Sequence, residues 1–169
     1  MPYLNSTFGS AATSQFSLPS VLRVALIEKA KITSVTGGGN AGTDVTAITL
    51  ETGALFHEIV FVKKSASYTN ELNAKHIAQT LTFKVENENN VKAHSVILGM
   101  EYVALVQKPN GKWIMLGQTN GLKCSAFTDN SADEDGAQNF TLSGENLGNA
   151  PVVTADVTAL INTTDAPAV

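Results

Sequence analysis

The chain has 169 residues, of which 43% are hydrophobic, which is enough for one domain with its own core and excludes a disordered tail. Only 15% of residues are charged, against roughly 25% in an average soluble domain, so Thr, Asn and Ser supply most of the polarity. All 11 basic residues lie at or before Lys123, where 8 acidic residues leave a net +3, whereas residues 124–169 hold 7 acidic residues and no basic one, which excludes a phosphate grip by the C-terminal part.

Residues 1–18 carry Tyr3, Leu4, Phe8, Phe16 and Leu18 spaced among Ser, Thr, Ala and Asn. This predicts an N-terminal arm over 1–18 and one domain over 19–169. The arm's aromatics need a surface to lie on, the chain's own or a neighbour's. The arm has neither the basic n-region nor the apolar h-region of a secretory signal. No apolar run approaches the roughly 20 residues of a membrane helix. Without a signal, the glycosylation sequons at Asn5, Asn139 and Asn162 read as chance matches.

"LPSVLRVALIEKAKITSV" is ambiguous: one reading is a helix capped by Ser20 with Val21, Leu22, Ala25 and Leu26 on one face, and the β-branched tail Lys31–Thr36 then turns into a strand. "TGGGNAG" at 36–42 is a loop. Its glycines lack the Lys-Ser/Thr ending of a phosphate loop, and no helix pattern follows. "DVTAITLET" and "ALFHEIVFVKK" predict two strands joined at Thr52-Gly53. The second is apolar on both faces, through Leu55, Ile59 and Phe61 on one side and Phe56, Val60 and Val62 on the other, which predicts a central strand or an interface. Residues 65–75, "SASYTNELNAK", read as a long polar loop of the kind that is functional or ordered by a partner.

"HIAQTLTFKVE" predicts a strand with Ile77, Gln79, Leu81, Phe83 and Val85 on one face. "NENNVKAHSVILG" changes period: Val91, His94, Ser95 and Leu98 fall on one helical stripe beside Ile97, and Gly99 closes the helix. "VALVQKPNGKWIMLGQTNGLKCSAF" predicts a three-stranded meander, turning at Lys108–Gly111 and Gly117–Gly121, with Asn-Gly supplying positive φ. An acidic loop at 129–136, a strand "NFTLSGEN" and an extended segment with a short helix near Val157–Ile161 complete the chain. The sum is six to eight strands and one helix, a mainly β protein of the antiparallel sandwich or barrel type.

Chemistry-bearing patterns are sparse. The one cysteine, Cys124, has no partner for an internal disulfide and sits in an apolar alternating segment as an inert thiol. His57, His76 and His94 fall on separate elements without metal-ligand spacing. "SADEDGA" resembles a calcium loop through Ser131, Asp133 and Asp135 before Gly136, but Ser131 is a weak first ligand and Leu142 stands where a bidentate Glu belongs, which leaves at most weak calcium binding by Asp129, Asp133 and Asp135. No GxSxG elbow or selected carboxylate pair is present, so we expect no catalytic group, no cofactor and no resident metal. Trp113 and Tyr102 read as core aromatics, or as a sugar-stacking platform if exposed.

The succession from "QTLTFKV" through the helix to "NGKWIMLG", the "NGL" strand, the Asp/Gly-rich loop and "FTLSGEN" resembles structural proteins of tailed phages, especially those of Bacteroidota hosts, over residues 44–153. The resemblance implies a tail-tube-like β-sandwich: a virion protein, assembled in the host cytoplasm, that forms rings, commonly hexamers, around a channel through which DNA passes without sequence-specific binding. It implies homo-oligomeric and other virion partners and no membrane. The expected inter-subunit contacts are Tyr3, Phe8 and Phe16 of the arm, Phe61 of the strand 55–62 and Tyr68 of the loop 65–75. The alternatives are a neck-ring or capsid decoration protein of similar fold and, from a different class, a soluble carbohydrate-binding module.

Overall fold

The computed structural model describes residues 21–62, 64–86, 90–98, 100–129 and 138–162. The arm, most of the acidic loop and the last seven residues lie outside them. The chain is mainly β, built as three stacked sheets. The central sheet has six strands in the order β11 (Val152–Val153), β8 (Trp113–Leu116), β7 (Tyr102–Gln107), β1 (Arg23–Glu28), β4 (Phe56–Ile59) and β12 (Ile161–Asn162). A four-stranded sheet covers one face, ordered β5 (Ser67–Asn73), β6 (His76–Val85), β10 (Gln138–Asn146) and β9 (Lys123–Asp129). The hairpin of β2 (Ile32–Thr36) and β3 (Ala47–Leu50) covers the other. One α-helix, α1 (Asn90–Ile97), is present among the described residues.

Burial on both faces explains why "VALI" is a strand. Val24 and Leu26 enter the core shared with the four-stranded sheet, where they join Leu81, Phe83, Ala104, Val106, Phe140 and Leu142. Ala25 and Ile27 enter the opposite core with Val103, Leu105, Met115, Val45 and Phe56. A run of four buried residues suits a central strand between two layers as well as a helix, and here the layers decide. The expected helix at Ser20–Leu26 is therefore absent over its described part, and β1 pairs with β7 on one side and β4 on the other.

Three further expectations change. Residues 67–73 are no loop but β5, paired along its whole length with β6 through the two-residue turn Ala74-Lys75. Thr52-Gly53 is a turn, yet the strands it separates part company: β3 pairs with β2, and β4 with β1. The meander stops after two strands. β7 and β8 pair, but β9 crosses to the other sheet and pairs with β10. Leu122, fully buried, marks the corner through an isolated bridge to Tyr102.

The helix forms where its period predicts but buries a different stripe. Ala93, Val96 and Ile97 meet the core, while His94, Ser95 and Leu98 are exposed. The Tyr102 hydroxyl ties it down by donating to the Ser95 carbonyl at 2.7 Å. The turn at Lys108–Gly111 has an inner bond from Gly111 N–H to Lys108 O and an outer one from Lys108 N–H to Lys112 O. Only Gly111 there has positive φ, +83°, so Asn110 stays right-handed and the turn is a type I turn closed by a glycine bulge.

Candidate functional site

The two large sheets end differently. Both edges of the central sheet are two-residue strands drawn from one C-terminal segment. β11 pairs with β8 at one edge, and β12 pairs in parallel with β4 at the other. Between them the chain crosses the second core and buries Val157. This strap leaves little edge on the central sheet for another chain.

Among the described residues no strand closes the edges of the four-stranded sheet, although α1 packs beside β9. Its outer strands β5 and β9 are seven residues each, and no strand pairs with the outer side of either among the described residues. All three of its pairings are antiparallel, so β5 and β9 run in opposite directions. β5 is largely polar, with Leu72 76% exposed near its end. β9 carries a bulge opposite Thr141–Leu142, which twists the strand locally. Phe127 of β9 faces inward onto Phe140, with ring centroids 5.0 Å apart.

A polar cluster holds the corner between the sheets. The Asn146 carboxamide oxygen accepts from Thr119 N–H, Thr119 hydroxyl and Asn120 N–H at 3.2, 3.0 and 2.9 Å. Gln79, fully buried on β6, accepts from Gly117 N–H at 2.7 Å and donates to the Gly148 carbonyl at 3.2 Å. Gln118 reaches the other way, accepting from Gly39 N–H and donating to the Gly37 carbonyl, each at 2.8 Å. The turn 117–121 thus pins the glycine loop, the central sheet and the four-stranded sheet to one another. The alternating pattern around Gln79 marked it as inward-facing, but nothing local in the sequence marked its partners, which lie 38 and 69 residues away.

Of the expected contact residues, Tyr3, Phe8 and Phe16 lie outside the described residues. Phe61 follows β4, half-buried against the core beneath the four-stranded sheet. Tyr68 lies on β5, its ring against the same core and the Lys108 ammonium 5.8 Å from its centroid. Phe61 lies two residues past the end of β4, and Tyr68, expected in a loop, belongs instead to the edge strand β5. Leu72, Phe127, Glu71 and Lys123, not singled out from the sequence, share the two open edges with it.

The chemistry-bearing residues stay apart. His57, His76 and His94 are exposed on β4, β6 and α1. No group of three His, Cys, Asp or Glu is placed to hold a metal among the described residues, and Asp133 and Asp135 lie outside them. Cys124 is half-buried on β9, and burial pushes its thiol above its usual pKa. Tyr102 and Trp113 do not form a joint platform. Tyr102 is buried in the first core, where desolvation raises its phenol pKa. Trp113 packs on the second, on the opposite face of the sheet, with the Arg23 guanidinium 5.3 Å from its ring and 2.7 Å from Glu58. Among the described residues, the cleft beneath β2, lined by Ile32, Val35, Val103 and Met115, holds about 270 Å³.

No protein-family model, no curated protein and no solved structure matches the chain.

Proposed function

We propose that this protein is a non-enzymatic structural subunit that assembles with copies of itself into rings, and that the rings stack into a tube around the DNA channel of a phage tail. The observation that carries this reading is the pair of seven-residue edge strands on the four-stranded sheet that have no outer strand partner among the described residues, beside a central sheet whose edges are two-residue strands of the strap. An antiparallel sheet with an even number of strands ends in edges of opposite direction. One copy's β9 beside the next copy's β5 therefore continues the antiparallel order by rotation alone. Such a head-to-tail contact closes into a ring or runs on as a fibre. An unprotected edge is an aggregation hazard in a monomer, and closure removes it.

The resemblance to tail-tube-like virion proteins supplies the setting: hexameric rings, other virion proteins as partners, assembly in the host cytoplasm and passage of DNA without sequence readout. The same edges serve a neck ring or a decoration protein, which differ in whether rings stack. Light scattering and negative-stain electron microscopy of the purified chain test the proposal. Stacked rings with a central channel are expected. Single rings move the protein to a neck or capsid position, and a monomer at high concentration overturns self-assembly.

A further inference from the structure

We infer that the contact between copies has one defined register, in which Lys123 of β9 lies opposite Glu71 of the next copy's β5. The inference rests on the ring reading and names the pairing within it.

The rows across the sheet fix the choices. On the inner face one row runs Tyr68, Leu81, Leu142, Cys124, and the adjacent outer row runs Thr69, Thr80, Ser143, Lys123. A second copy must keep inner residues facing inner residues. A slip of one residue reverses every side chain, so only even staggers are allowed. With no stagger, Lys123 meets Thr69, Cys124 meets Tyr68 and Ala126 meets Ser67, and the overlap ends there because β5 begins at Ser67. With a stagger of two residues toward greater overlap, Lys123 meets Glu71, Cys124 meets Asn70, Ala126 meets Thr69, Phe127 meets Tyr68 and Thr128 meets Ser67. With four, Lys123 meets Asn73, Cys124 meets Leu72, Phe127 meets Asn70, and the Asp129 carboxylate is set against the Tyr68 ring.

Overlap rejects the first choice and chemistry separates the other two. The two-residue stagger alone places opposite charges across the outer face and joins two aromatic rings on the inner one, both favourable cross-strand pairs. Among the described residues Lys123 pairs loosely with Glu101 at 3.6 Å, and its own side chain is 60% exposed, so it can turn outward. The Asn70 carboxamide oxygen on β5 is buried without a hydrogen-bond partner, and staggers of two and of four both set a second copy beside that residue, so it does not choose between them.

The single native cysteine reads the register. Cys124 forms a disulfide only with a cysteine that faces it across the contact, because the bond requires Cα atoms within about 7 Å. Asn70→Cys, oxidised by dioxygen with a copper catalyst after assembly, is expected to give a covalent ladder of chains on a non-reducing gel. The ladder is lost in Asn70→Cys/Cys124→Ser, and Tyr68→Cys and Leu72→Cys give none. A ladder strongest from Tyr68→Cys or Leu72→Cys overturns the register. One that survives Cys124→Ser shows β5 against β5 about a two-fold axis and overturns the head-to-tail contact. Rings in the microscope without a ladder from any variant overturn the edge pairing and leave ring assembly standing; a monomer by light scattering overturns both. Glu71→Lys and Lys123→Glu, at exposed positions, give a second measure: each alone is expected to weaken assembly and the double exchange to restore it, and failure of that rescue sinks the charge pairing.

Discussion

Gly144 lies on β10 where the corner turn passes over the sheet. A Cβ there would stand 2.1 Å from the Gly121 carbonyl oxygen. That oxygen cannot retreat easily, because Gly121 N–H is bonded to Gly117 O and Leu122 is bonded on both sides to Tyr102. Gly144→Ala is expected to lose about 3 kcal/mol of stability through overpacking, read as a lower urea midpoint at unchanged slope. Ala74 presents the opposite case. It holds φ +54° in the β5–β6 turn, a conformation that disfavours any residue with a Cβ. Ala74→Gly is expected to gain about 0.5–1 kcal/mol, the relief of that strain less the added freedom of the unfolded chain, and an unchanged or lower melting temperature would contradict it. Cys124 is protected by burial, which favours its neutral thiol. Its alkylation rate in the unassembled chain should therefore keep rising with pH beyond the point where an exposed thiol has levelled off. A rate that has already levelled off by about pH 9.5, as for an ordinary exposed thiol, would contradict the protection.

At the scale of elements, Gln79 joins two sheets through one side chain. Gln79→Leu leaves the Gly117 N–H without its acceptor in a buried position, and a loss of about 1–3 kcal/mol is expected, with faster amide exchange at Gly117. If exchange there is unchanged while stability falls, the residue acts through packing alone. The sequence made β6, β8, β10 and the helix legible, because each carries an unbroken period or a turn signal at its ends. It misread β1 because four successive buried residues have no period: a strand between two layers and a buried helix look alike until the second layer is known. It missed β5 because an edge strand exposed to solvent is polar, and its only strong partner, β6, fixes it from outside. The same polarity hid the open edge, so the candidate site was legible only in part, through Tyr68. Which strands part at a tight turn was not legible either: Thr52-Gly53 and Gly117–Gly121 resemble hairpin turns, yet both hand the chain from one sheet to another.

For the whole molecule, the C-terminal strap supplies both edge strands of the central sheet. The arm's part in the proposed assembly and the stability of the fold are read by separate measurements. Deletion of residues 2–16 is expected to leave the circular dichroism spectrum and melting temperature nearly unchanged while weakening ring stacking. Phe61→Asp behaves differently, because Phe61 packs against the core as well as lying beside the four-stranded sheet. Burying its carboxylate there demands either a raised pKa or solvent entry. The variant is expected to melt lower at neutral pH and to recover part of the difference on acidification toward pH 4, as the aspartate is neutralised; the folded-state pKa is raised, so the penalty is present above it and fades below it. A monomer of native stability that no longer assembles would instead place Phe61 wholly at the contact between copies. The comparison of the two variants by calorimetry and light scattering assigns arm and core their separate shares of the assembly.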